Sequence, residues 1–167
     1  DKLGQSYVGL NKWLEKSGDA PMVINESKTD KSLYRIEQWY AKRGWFNTKG
    51  EYTKSIDSNK NKRASIQYNI KRFQPYIVDS IQEQISSPVV DSLFQNSKNN
   101  SFVIEGKQYA ASDFNNERDR LTMQFRNSGL YHFDQDYIGF EADTINTGHR
   151  ANITYIIPDR KITSGDS

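Results

Sequence analysis

The chain has 167 residues, enough for one medium domain or two small ones. Its 23 Lys+Arg against 21 Asp+Glu leave a net charge of +2, which lacks the clustered basic excess of most nucleic-acid binders. No cysteine is present, which excludes disulfides and thiolate metal sites, and no apolar run approaches the ~18–20 residues of a membrane-spanning helix. No export signal is visible, so the expectation is either a cytosolic protein or a piece of a longer chain.

In chain order, residues 4–16 carry Tyr7, Leu10, Trp13 and Leu14 at helical spacing, with Gly18 as the stop. Ser27 or Thr29 is expected to cap a second helix reaching to about Arg43. Leu33, Ile36, Trp39 and Tyr40 form its apolar stripe, which predicts core packing for Trp39, and Gly44 suits its C-cap. Residues 46–56 are expected as an irregular strand, with Phe46, Thr48, Gly50, Tyr52 and Ile56 on one face and Gly50 as a weak point or bulge. A polar turn at 57–62 leads to the cleanest strand signal in the chain. There Ala64, Ile66, Tyr68 and Ile70 point one way and Ser65, Gln67, Asn69 and Lys71 the other.

Gln74-Pro75 is the expected seam between two units. Residues 76–85 follow as a strand with Ile77, Ile81 and Ile85 among its apolar positions. Pro88 fits the first turn of a short helix bearing Val89, Val90, Leu93 and Phe94. A polar loop at 96–101 and a turn at Glu105-Gly106-Lys107 lead to Tyr109. Ser112 is expected to cap a helix over 113–128 with Phe114, Leu121 and Phe125 buried. A long strand over 131–144 slips in alternation near Asp134-Gln135, which predicts a bend, with Ile138, Phe140 and Ala142 inward. After a turn at Asn146-Thr147-Gly148 the last strand covers 151–157, stopped by Pro158.

Two of these stretches, 31–70 and 116–157, share an order of features. Each runs from a helix through a glycine (Gly44; Gly129) and an acid-Tyr pair (Glu51-Tyr52; Asp136-Tyr137) into Arg-Ala-x-Ile-x-Tyr-x-Ile, at 63–70 and again at 150–157. The pattern reads as duplication of one small unit. The second copy reads strand, helix, helix, strand, strand. The first lacks the opening strand, which leaves one sheet edge unpaired.

In tandem, this order resembles POTRA (polypeptide-transport-associated) domains. Glu117-Arg118-Asp119-Arg120-Leu121, Arg126 to Tyr131 and Asp136 to Thr144 are similar to the second helix and following strand of BamA/TamA-like outer-membrane assembly proteins, as is Lys42 to Asn47 in the first copy. Gly50 departs from the family, which favours a branched apolar residue there. The resemblance implies an α+β fold of two tandem POTRA-like units (β-α-α-β-β), each a three-stranded mixed sheet covered by a helix pair, the first without its opening strand. The units would be residues 1–73 and 74–158, with 159–167 a tail or linker. It further implies a periplasmic, non-enzymatic module of an outer-membrane protein of the surface antigen family, whose parent chain carries a membrane-embedded β-barrel. Partners would be unfolded outer-membrane proteins or assembly-complex subunits.

The expected mode of binding is strand addition at a sheet edge, where backbone hydrogen bonds form without close reading of side chains. In this family the strand after the helix pair lies at the edge, which singles out Tyr137, Ile138, Gly139 and Phe140, with Gly139 letting another backbone approach. No cofactor or metal is expected. His132 and His149 lack ligand spacing, and the start of a calcium loop at Asp134 and Asp136 fails at Ile138 and Ile145, where oxygen ligands are required. Alternating charges at Glu117 to Arg120 read as a solvent face. The alternative function is a tandem α+β nucleic-acid binder, using Lys60, Lys62, Arg63, Lys71 and Arg72; the balanced charge and the lack of a glycine-aromatic RNA motif weigh against it.

Overall fold

The computed structural model describes residues 24–56 and 64–159. The helix expected at 4–16, the turn at 57–62 and the tail lie outside them. By compactness the chain divides into Asp1–Lys31 and Ser32–Ser167; the sheets and the core lie in the latter.

Helix α1 (Glu26–Ala41) starts two to four residues earlier than the expected caps allow. Asn25 takes that role, its Oδ1 accepting from the Lys28 amide at 3.3 Å, so Ser27 and Thr29 fall inside the first turn. Leu33, Ile36 and Tyr40 are half-buried. Trp39, expected in the core, is half-exposed instead, with the Arg43 guanidinium 3.8 Å from its ring centre. Gly44 ends the helix at φ +88°, a left-handed conformation that glycine adopts without strain.

Strands β1 (Lys49–Ile56) and β2 (Ala64–Lys71) form an antiparallel ribbon in unbroken register from Lys49↔Lys71 to Ile56↔Ala64. The expected start at Phe46 is wrong by three residues, because Phe46 leaves the ribbon to stack on Tyr76 and Tyr109. Gly50 makes no bulge. It pairs with Ile70, and a Cβ there would stand 2.4 Å from Leu33 Cδ1. The missing side chain is what lets α1 lie on the ribbon, and Glu37 Oε1 accepts the Gly50 amide at 2.8 Å.

The remainder is strand β3 (Ile77–Ile85), helix α2 (Pro88–Gln95), helix α3 (Ala111–Asn127), strand β4 (Gly139–Asp143) and strand β5 (Arg150–Ile157). The three strands form one mixed sheet in the order β3-β5-β4, with β5 parallel to β3 and antiparallel to β4. This is the β-α-α-β-β order that the resemblance implies, and the class is α+β. Pro88 opens α2 as expected, whereas α3 begins at Ala111 without a side-chain cap, placing Ser112 inside its first turn. Alternation makes β5 two-faced: Ala151, Ile153, Tyr155 and Ile157 are buried, and the residues between them are half-buried. They meet Phe94 of α2 and Leu121 and Phe125 of α3 in one core. Each fully buried side chain of this size contributes about 1.5–3 kcal/mol.

The long strand expected over 131–144 is shorter. It begins only at Gly139, after a turn at 131–132 and one turn of 3-10 helix at Gln135–Tyr137, held by the Asp134 carboxylate, which accepts the Asp136 amide at 3.1 Å. The bend expected within a strand at Asp134-Gln135 is instead the start of the 3-10 turn that precedes the strand. Ala142, expected inward, is exposed, since β4 ends its sheet there.

Candidate peptide-binding edge

A three-stranded sheet has two edges, and they differ. The first half of the outer edge of β3 is covered by the loop ahead of α3. Val78 donates its amide to the Lys107 carbonyl (2.9 Å), and its own carbonyl accepts from Gly106 (2.8 Å). The Tyr109 amide reaches the Tyr76 carbonyl at 2.9 Å, and Glu105 Oε1 takes the Ile81 amide at 3.1 Å. Strand β4 carries β5 on one side and, among the described residues, no strand on the other.

The four residues singled out from sequence divide here. Gly139 and Phe140 open β4, opposite Ile156 and Tyr155. Tyr137 lies in the 3-10 turn with its ring against Phe133. Ile138 is 2 % exposed, and both its backbone groups are engaged: its amide with the Gln135 carbonyl (3.1 Å) and its carbonyl with Arg118 Nε (2.9 Å). The same guanidinium sits 5.3 Å from the Phe140 ring centre, and that ring makes edge contacts with Phe114 and Tyr155. Phe140 therefore anchors the edge from inside. Glu141, Ala142 and Asp143, exposed along the rest of β4, were not among the candidates because the break before Gly139 was placed too early. A Cβ on Gly139 would make only ordinary contact with Ile156, at 3.5–3.6 Å, so β5 does not require glycine there.

The expected solvent face at Glu117 to Arg120 is corrected by packing. Glu117 is fully buried, at the spacing of Phe114, Leu121 and Phe125. Its carboxylate receives Arg120 Nε and Nη2 at 2.9 and 2.6 Å and the Phe102 amide at 3.0 Å. Arg120 continues to Gln124, which donates to the Leu93 carbonyl. The cluster ties α3 to α2 and to the loop at 101–103. Beside it the Tyr155 hydroxyl lies 3.0 Å from Ser101 Oγ, and burial pushes its ionisation well above the usual tyrosine range.

Of the other candidates, His132 is exposed and His149 packs 5.3 Å from the Tyr76 ring. Among the described residues no group of three or more His, Cys, Asp or Glu stands where it would hold a metal. Of the basic cluster, Lys71 and Arg72 lie over the rings of Phe73 and Trp45, while Lys60, Lys62 and Arg63 fall outside the described residues.

The end of α1 forms a hydrogen-bonded seam with the stretch 76–111. Three successive carbonyls at the end of α1 are satisfied by the second copy: Lys42 by the Ala111 amide (2.8 Å), Arg43 by Gln108 Nε2 (2.7 Å) and Gly44 by the Tyr76 amide (2.8 Å). Phe46 stacks at 4.9–5.0 Å on Tyr109 and Tyr76, and burial raises the Tyr109 hydroxyl above its ordinary range.

No family model matches the chain, and no curated protein does. Among solved structures it is similar to POTRA domains 3–5 of Haemophilus influenzae BamA, at 15 % identity and a TM-score of 0.44, over 94 % of this chain and 57 % of that one. It is also similar to Haemophilus ducreyi BamA lacking POTRA domains 1–3, at 16 % identity and a TM-score of 0.47, over 85 % of this chain and 25 % of that one. The chain spans less than two thirds of the length of either of these structures.

Proposed function

We propose that this chain is a periplasmic POTRA module of an outer-membrane protein assembly factor, and that it binds unfolded outer-membrane polypeptides or partner subunits by strand addition along β4. The observation that carries this reading is the difference between the sheet's two edges: the first half of β3 is covered by backbone and Glu105, and β4 has, among the described residues, no strand beside it along Gly139–Asp143. An unpaired edge offers backbone groups to any extended client, whatever its sequence. The two acids on it, Glu141 and Asp143, discourage pairing of the edge with a second copy of itself. Such a module needs no catalytic group. In this reading, membrane attachment belongs to a β-barrel elsewhere in the parent chain.

The test places a photo-reactive residue at Glu141 and, as a control, at exposed Met123 on α3. Each protein is mixed with a urea-unfolded outer-membrane β-barrel protein diluted out of denaturant. Cross-linking concentrated at Glu141 is the expected result. Equal yields at Glu141 and Met123 would remove the edge from the account.

A further inference from the structure

The two faces of β4 carry opposite charge. Phe140 and Ala142 pair with Tyr155 and Ile153, which are buried, so this row lies on the helix side of the sheet. Glu141 and Asp143 pair with Thr154 and Asn152 and lie on the other side, both exposed. Asp143 accepts the Ile145 amide at 2.9 Å, whereas Glu141 makes no hydrogen bond or ion pair among the described residues. Beside these acids β5 presents uncharged Thr154 and Asn152, and its one cation, Arg150, is taken by Asp79 of β3. On the helix side, Arg118 of α3 donates its Nε to the Ile138 carbonyl and lies 5.3 Å from the Phe140 ring centre. One side of the strand is therefore negative and the other carries a cation.

A strand added along β4 falls into the same two rows. Its residues opposite Glu141 and Asp143 stand two apart on the acid side, and the residue between them turns to the helix side with Ala142. Directly opposed side chains have Cβ atoms about 4.5–5.5 Å apart, within reach of a Lys or Arg head meeting a carboxylate.

We infer that the β4 edge selects extended segments that carry Lys or Arg at alternate positions with uncharged residues between them. The preference rests on strand addition at β4, and it ranks the clients of an edge whose backbone accepts any sequence. It also sets their register. A slip of one residue turns the cations towards Arg118 and leaves uncharged side chains against both acids. The whole chain carries a net charge of +2, so its overall field does not draw in a cationic segment; the attraction is local to this edge.

The test uses the full chain at low salt and three short peptides, alternating Thr with Lys, with Gln or with Glu. Fluorescence anisotropy measures affinity, and amide exchange locates the bound peptide. The Lys peptide should protect alternate amides within Gly139–Asp143 and bind about threefold to tenfold more tightly than the Gln peptide, as two cross-strand ion pairs predict, with the Glu peptide weakest. Glu141→Gln/Asp143→Asn should erase the difference while leaving the Gln peptide bound as before, which also shows that the edge is still folded. Glu51→Gln/Glu105→Gln removes the same charge from β1 and from the loop at the β3 edge, and should keep the difference. Three peptides that protect β4 equally overturn the inference and leave strand addition standing, and so does a preference lost in the Glu51/Glu105 variant. Protection of β4 by none of the three overturns strand addition itself, and the preference with it.

Discussion

Strands β2 and β5 carry the same run, Arg-Ala-x-Ile-x-Tyr-x-Ile, with different consequences. Ile153, Tyr155 and Ile157 are at most 1 % exposed, while Ile66, Tyr68 and Ile70 stay half-buried. The run sets which residues share a face, and the neighbours set whether that face is a core. Strand β5 has β3 on one side, β4 on the other and α2 and α3 across its inner face; β2 has β1 alone among the described residues. A repeated sequence is thus a repeated face, and burial is a property of what is assembled on it.

The comparison breaks most sharply at its two tyrosines. Tyr155→Ala should cost about 3–5 kcal/mol, as for other buried aromatic truncations, and Tyr68→Ala about 1 kcal/mol. Urea unfolding of the two variants measures the gap, and equal losses would mean that β2 is as buried in solution as β5. Glu117→Ala comes next, at about 3 kcal/mol, because it strips a buried carboxylate from Arg120 and leaves that charge largely enclosed. Glu117→Gln should recover part of this, since the amide oxygen can still accept the Phe102 amide.

The glycine pair gives a smaller contrast. Both Gly44→Ala and Gly129→Ala force a side chain into positive φ, at roughly 1–2 kcal/mol each. Gly44→Ala also meets the backbone of Tyr109 and Tyr76 at the seam and should be the worse, with greater amide exchange at Tyr76 and Ala111. Similar losses and an intact seam would show that the seam yields more easily than its hydrogen bonds suggest.

The smallest effect is at alkaline pH. Tyr155 is held neutral by burial, so its folded pKa lies above the unfolded value. Its contribution is complete below about pH 10 and is lost as pH rises further, because the unfolded chain then releases a proton that the folded chain retains. The loss approaches about 1.4 kcal/mol per pH unit above that point. Tyr155→Phe should flatten this decline in a pH series of unfolding midpoints, leaving the share that Tyr109 contributes.

What was legible in the sequence was what local chemistry decides. The alternation at 64–70 and 151–157, the helix stop at Gly44 and the start at Pro88 each rest on a period or a backbone preference that needs no partner. What distant residues decide was not legible. Phe46 quits its strand for Tyr76 and Tyr109, Gly50 is bare because Leu33 lies on it, and Glu117 is buried because Arg120 and the Phe102 amide meet it there. The Glu117 error had a remedy in plain sight, since its position continues the stripe of Phe114, Leu121 and Phe125. Of the four residues expected at the edge, Gly139 and Phe140 lie on β4, whereas an apolar Ile138 that packs inward looks the same in sequence as one that continues a strand.

The most direct measurement is residue-resolved amide exchange across β4 and its surroundings, with and without a saturating extended client peptide. Strand addition predicts new protection at alternate amides within Gly139–Asp143, while the amides of β5, already paired, stay as they were. Protection that falls instead on residues 130–133, ahead of the strand, or that lacks the two-residue period, would contradict binding at the edge.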